Sequence, residues 1–210
     1  QICYSLLDRR ASGEMSEICQ EFDIKLFAFG TLAGGFLSKK WLGKKEPKIN
    51  DDLNWSQMKY KRFIDVTGGW KKFQNLLETL DELSIRNNTS ISNISSRYIL
   101  EDPNVASVII GARLGESDHI NENKKIYDVN FSEEDKKLLS KSLNLLDVVP
   151  GDCGDEYRKP PFLTASGDLS HHLSSIPKVY QISKVTKKRE NISSNTCLLY
   201  TSDAADEWRS

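Results

Sequence analysis

Val105-Ala106-Ser107-Val108-Ile109-Ile110-Gly111-Ala112-Arg113, running on to Asn123, is the stretch whose reading decides the fold. Apolar and small residues continue without alternation and stop at Gly111. That is the pattern of a strand buried on both faces in a parallel sheet. Glu116, Ser117, Asp118 and His119 then offer the polar opening of a helix. The turn from such a strand into a helix is where α/β proteins place anionic ligands, because backbone N–H groups and the helix dipole converge there. Arg113 adds a planar cation suited to phosphate. Read alone, the stretch is equally an ordinary buried strand with a solvated arginine on its exit loop.

Upstream, Asp102-Pro103-Asn104 is a turn. Ser90 can cap a helix running to about Leu100, and Asn87-Asn88-Thr89 is a loop. Trp70, Phe73, Leu76, Leu77, Leu80 and Leu83 keep helical spacing, which predicts an amphipathic helix opened by Gly68-Gly69. Trp55 to Ile64 predicts a short helix. Phe36 to Lys48 is lysine-rich and reads as a long loop with one helical turn. Ile24 to Phe29 predicts a strand ending in Gly30-Thr31-Leu32-Ala33-Gly34-Gly35. Three glycines there allow close backbone approach, to a phosphate, to a flat ring or simply in a tight turn. Met15, Ile18, Cys19 and Phe22 predict a helix over Glu14 to Phe22. Gln1 to Leu7 is apolar and uncapped, like a chain cut mid-strand. Downstream, a helix is expected from about Glu116 to Tyr127. Another should begin at Ser132-Glu133-Glu134-Asp135, with Leu138, Leu139, Leu143 and Leu146 buried. Strands alternating with helices argue a parallel sheet or barrel with helices outside.

The texture changes after Pro150. Gly151 to Pro161 lacks periodicity and predicts an irregular loop. Asp152, Asp155, Glu156, His171 and His172 raise a metal site, but their spacing fits no zinc or calcium pattern. From about Lys184 the chain is polar and basic, the composition of a disordered tail. Cys197 to Glu207 looks like translated sequencing-adapter sequence and is excluded from fold reasoning.

Within 210 residues, 38% hydrophobic and 28% charged content suits one sizeable globular domain, and a net charge of −1 gives no suggestion of general binding to nucleic acid or an acidic surface. No apolar run is long enough to span a membrane. Cys3, Cys19, Cys153 and Cys197 lack metal-ligand spacing and fit reduced thiols in a cytoplasmic protein. The first residue is Gln1, so the start is expected to be processed or incomplete. Sequons at Asn54, Asn88, Asn93 and Asn191 carry little weight in an Asn- and Ser-rich chain.

Three segments resemble the aldo/keto reductases in their order. They are Gln1-Ile-Cys-Tyr4-Ser-Leu-Leu-Asp8-Arg9, then Phe27-Ala-Phe-Gly-Thr-Leu-Ala-Gly-Gly-Phe-Leu37, then Val108-Ile-Ile-Gly-Ala-Arg113 with Glu122-Asn123. The resemblance covers Gln1 to about Leu146, and Asp152 to Leu173 resembles the C-terminal extension of one uncharacterised branch. It implies the last three strands of a (β/α)8 TIM barrel over residues 1–149, an extension over 150–183 and a tail over 184–210. It also implies NADP(H) as cofactor and a small carbonyl substrate. Gln1 would hydrogen-bond the nicotinamide carboxamide, and Phe29 would stack on the nicotinamide ring where relatives carry Tyr or Trp. Gly30, Thr31, Leu32 and Gly34 would line the pyrophosphate path. Gly111 would end the eighth strand, Arg113 would meet the adenosine 2′-phosphate, and His119, Glu122 and Asn123 would face the adenosine. The family's catalytic Asp, Tyr, Lys and His belong to the first half of the barrel and have no counterpart motif here. Tyr4 reads as a barrel-wall residue and Tyr98 as a helix-face residue.

The resemblance therefore implies the cofactor-clamping part of an NADPH-dependent reductase of aldehydes or ketones. These 210 residues alone would be inactive and poorly stable, since a partial barrel leaves strand edges open. A non-catalytic nicotinamide-binding sensor or scaffold is the alternative, and an unrelated α/β binding module a third reading.

Overall fold

Three short strands, Ile2–Cys3 (β1), Leu26–Phe29 (β2) and Val105–Ile109 (β3), pair in parallel in the order β1-β2-β3. The computed structural model describes residues 1–48, 53–111 and 119–157. The chain divides into two units, Gln1–Asp155 and Glu156–Ser210, and everything below concerns the first. The expected extension beyond Tyr157, with His171 and His172, and the expected tail lie outside the described residues.

The apolar run Gln1 to Leu7 yields only a two-residue strand, and a local competition explains why. Ser5 Oγ accepts from the backbone N–H groups of Leu7 (3.3 Å) and Asp8 (3.1 Å). Ser5 N–H donates to the Asp8 carbonyl at 3.0 Å. The chain turns out of the sheet straight after Tyr4, whose N–H still reaches the Phe29 carbonyl at 3.1 Å. Side-chain oxygens of this kind offer the backbone an alternative to the ladder. β2 also starts later than the apolar run does. Asp23 takes a positive φ and Ile24 N–H closes back on the Cys19 carbonyl, so Ile24 and Lys25 belong to the connection.

Six α-helices complete the described structure: Glu14–Glu21 (α1), Trp55–Val66 (α2), Gly69–Arg86 (α3), Ile91–Leu100 (α4), Ile120–Lys124 (α5) and Glu133–Leu143 (α6). The caps match the sequence. Ser90 Oγ accepts from Asn93 N–H at 3.2 Å. Ser132 and Asp135 form a reciprocal capping box, at 3.1 and 3.2 Å. A second box, Asn54 with Gln57, starts α2. The helix expected over Glu116 to Tyr127 is shorter: α5 passes into a 3-10 turn at Lys125–Asp128, and residues 112–118 lie outside the described set.

One face of the sheet is packed. Leu26, Ala28 and Val105 join Tyr4, Ala11, Cys19 and Ile99 in a core, with Met15 and Val108 against it. The other face of β2 carries exposed Phe27 and half-buried Phe29. The α3 stripe is core as expected: Phe73, Leu76, Leu77, Leu80 and Leu83 are fully buried, and Trp70 lies at its edge. Each such side chain contributes roughly 1.5–3 kcal/mol on leaving water. The α1 stripe is only half used. Cys19 is buried, whereas Ile18 and Phe22 are 47% and 64% exposed. Among the described residues no helix is long and apolar enough to cross a membrane.

Tyr4 lies in this core, with its hydroxyl donating to Asp102 Oδ2 at 3.1 Å. Burial first, and the Asp102 carboxylate second, push its pKa well above the usual phenol range. Burial raises Tyr98 as well. An unfolded tyrosine ionises near pH ~10. Above that pH the unfolded chain loses protons that the folded one keeps, so stability should fall as pH rises. Denaturant unfolding between pH 8 and 11 should show this loss, and Tyr4→Phe should make it shallower. An unchanged slope in Tyr4→Phe would contradict the assignment.

Candidate cofactor site

The strand register builds the site. Cys3 pairs with Phe29, and Phe29 with Ile109, so these three lie in one row across the sheet. Gly30 follows Phe29 directly, and Gly111 comes two residues after Ile109. Both therefore leave the same, C-terminal, end of the sheet. Gln1 precedes Ile2, the partner of Ala28, and so lies on the N-terminal side of that row; it is exposed.

The turn after β2 is tight. Gly30, Ala33, Gly34 and Gly35 have φ of 70°, 49°, 62° and 84°. Helix α2 is seated against it. A Cβ on Gly30 would fall 2.1 Å from the Tyr60 hydroxyl oxygen. One on Gly34 would fall 2.9 Å from Tyr60 Cδ2 and 3.1 Å from Ser56 Oγ. A Cβ on Gly35 or Gly111 would meet nothing within 4 Å. Glycine is thus required on the α2 side of the turn, while among the described residues nothing crowds Gly35 or Gly111. The Lys59 ammonium lies over the Phe29 ring, 5.7 Å from its centroid, and 5.5 Å from the Tyr60 centroid. Neither Lys59 nor Tyr60 carries a sequence signal that would have placed it here.

Thr31 is 1% exposed and its hydroxyl bonds Ser96 Oγ of α4 at 3.3 Å. Its side chain is committed to the interior, so only its backbone can face a ligand. Leu32 is half-buried, and its carbonyl accepts from Gly35 and Leu37 N–H.

The second half of the site is held by α4. This helix descends to β3 through the Asp102–Asn104 turn, so its N-terminal residues lie toward the C-terminal ends of the strands. Asn93, 1% exposed, donates through Nδ2 to the Glu122 carbonyl (2.9 Å) and Glu122 Oε1 (3.3 Å). Lys125 pairs with Glu122 Oε2 at 2.7 Å. Glu122 is therefore fixed by a buried amide and one cation. Asn123 is half-buried, and its N–H donates to the His119 carbonyl at 2.8 Å. His119 is exposed at the start of α5. Arg113 lies outside the described residues. In the sequence Asn93 stands out only as a sequon, with no signal for this contact; its burial argues against glycosylation there.

A flat ring at a strand end, a glycine turn open on one side, a nearby cation and a fixed carboxylate suit a dinucleotide. The model of the aldo/keto reductase family matches residues 1–144, well over half of the chain. The chain belongs to the aldo/keto reductase family. Among solved structures it is similar to a glycerol dehydrogenase from Gluconobacter oxydans, with a TM-score of 0.54 and 16% identity over 71% of this chain and 43% of that one. It is also similar to a thermostable aldo-keto reductase solved with the inhibitor epalrestat, with a TM-score of 0.43 and 23% identity over 67% of this chain and 38% of that one. No curated protein matches it. The chain thus spans less than half the length of either structure. Its parallel strands and their helices are consistent with part of an α/β barrel of the aldo/keto reductase type.

Proposed function

We propose that this chain is the cofactor-holding, C-terminal part of a (β/α)8-barrel reductase, comprising its last three strands, that reduces aldehydes or ketones with NADPH. The observation that carries this reading is the gathering of Phe29, the Gly30–Gly35 turn and Gly111 at one end of the sheet. In barrels of this class that end carries the site.

The bound cofactor would supply the hydride; the chain's own residues position it. Phe29 offers an apolar face to the nicotinamide without the hydroxyl or indole N–H of Tyr or Trp. Gln1 has an amide able to meet the carboxamide. Gly30, Leu32 and Gly34, with the backbone of Thr31, form the pyrophosphate path. Arg113 would pair with the 2′-phosphate, and His119, Glu122 and Asn123 would address the adenosine. No residue of this chain is assigned to proton donation.

The test is cofactor binding by the polypeptide that carries this chain, followed by nicotinamide fluorescence. NADPH should bind about 10–100-fold tighter than NADH, the worth of one charge-assisted phosphate contact. Arg113→Met should remove that preference. Equal binding of the two cofactors would sink the NADPH assignment, and binding of neither would sink the whole reading. Oxidation of bound NADPH by aldehydes then separates an enzyme from a non-catalytic cofactor sensor.

A further inference from the structure

We propose that Asn93 is a positioning residue for cofactor binding: from inside α4 it holds the Glu122 carboxylate in the orientation that meets the adenosine. This rests on the NADPH reading above, which assigns Glu122 to the adenosine, and adds a residue that neither the sequence motifs nor the resemblance supplies. Three observations carry it. Asn93 is 1% exposed, and its Nδ2 donates to Thr89 Oγ1 (2.9 Å), the Glu122 carbonyl (2.9 Å) and Glu122 Oε1 (3.3 Å). None of the α5 side chains from Ile120 to Lys124 is buried, so packing of that helix's own residues does not set where Glu122 points. The same face of α4 also holds the glycine turn: Ser92 Oγ donates to the Leu37 carbonyl at 3.0 Å, and Ser96 Oγ bonds Thr31 Oγ1 at 3.3 Å.

Glu122 has a second partner, and it is of a different kind. Its Oε2 pairs with Lys125 at 2.7 Å, with side chains 38% and 52% exposed. An ion pair that open to water is weak and lets both chains move. A buried amide is more demanding. Its desolvation is offset only while its hydrogen bonds are made, so the core around Asn93 favours one placement of Glu122. A carboxylate held that way loses little freedom when a ligand arrives, and the affinity lost to ordering is smaller. Asn93 sits between Ser92 and Ser96 in the chain, so one helix aligns Glu122 with the turn proposed for the pyrophosphate.

The experiment uses the polypeptide that carries this chain and compares Asn93→Leu, Asn93→Gln, Glu122→Ala and the double variant Asn93→Leu with Glu122→Ala. Calorimetry reads NADPH affinity, and thermal unfolding checks that each is folded. If Asn93→Leu does not fold, Asn93→Ala takes its place in the same cycle. Asn93→Leu should weaken NADPH about tenfold, the worth of one hydrogen bond to a charged group. Asn93→Gln, which keeps both N–H donors, should restore most of that affinity. Once Glu122 is alanine, Asn93→Leu should cost less than about threefold, because the group it positions is gone. If Asn93→Leu binds NADPH as tightly as the unaltered protein, the Asn93 proposal is overturned and the cofactor reading stands. An equal loss with and without Glu122 also overturns it, since Asn93 would then act through the fold. If the unaltered protein does not bind NADPH, the cofactor reading falls and the Asn93 proposal with it.

Discussion

Gly30→Val should lower stability by about 2–6 kcal/mol and, on the proposed reading, abolish measurable NADPH binding. Two costs add. Gly30 has φ +70°, a conformation that costs a β-branched residue roughly 1–3 kcal/mol. The new Cβ would also fall 2.1 Å from the Tyr60 hydroxyl oxygen and 3.0 Å from Cζ. Tyr60 is 6% exposed on a capped helix, so making room means moving the ring or tilting α2. Overpacking of that kind costs about 1–3 kcal/mol. Urea unfolding of Gly30→Val, Tyr60→Leu and the double variant separates the two. The double variant should recover the steric part and keep the backbone part. A Gly30→Val protein as stable as its parent would show that the turn is not held as described.

Asp8→Ala should cost about 3 kcal/mol. The Asp8 and Arg10 side chains are 3% and 5% exposed. Their pairing is bidentate, Nε to Oδ1 at 2.8 Å and Nη2 to Oδ2 at 2.7 Å. Arg10 Nη1 also donates to the Asp152 carbonyl at 2.6 Å, so the pair ties the turn after β1 to the end of the first unit. Removing one member of a buried pair leaves the other charge poorly compensated, at about 3–5 kcal/mol. The remaining contacts of Arg10 bring the figure to the lower end. The pair itself need not be a large net stabiliser. Asp8→Leu with Arg10→Met should therefore be less harmful than Asp8→Ala alone, and the difference in urea midpoint measures this. A loss below about 1 kcal/mol in Asp8→Ala would mean that the pair is solvated in solution.

What could be read from the sequence was what depends on neighbours in the chain. The α3 stripe, the Ser90 and Ser132 caps and the β3 run are set by local periodicity and side-chain oxygens, and they form where expected, but β3 is not buried on both faces as expected: Ala106 and Ile109 are exposed. Strand lengths were less legible. Ser5 draws the chain out of the sheet after Tyr4, and no apolar count registers that bond. The strand ends of the candidate site, at Phe29, Gly30 and Gly111, were legible as strand ends, because a glycine after an apolar run marks an abrupt exit. The seat of Tyr60 and Lys59 on the glycine turn, and the grip of Asn93 on Glu122, were not. Each joins residues about thirty apart, and neither follows a period. Thr31 shows the converse: the motif names the residue, but its hydroxyl is turned inward to Ser96.

The turn that leaves β2 ends in a knot of rings. Phe36 lies 4.7 Å from Trp41, and Trp41 lies 5.9 Å from Trp70 at 83° between planes. The Trp70 indole N–H donates to the Lys44 carbonyl at 2.9 Å. Two indoles this close act as coupled oscillators, and their strong far-ultraviolet transition splits into circular-dichroism lobes of opposite sign. Because Trp41 follows the glycine turn in the chain and Trp70 opens α3, that couplet is an optical ruler for the corner beside the candidate site. Its amplitude should follow any shift of the turn without an added label.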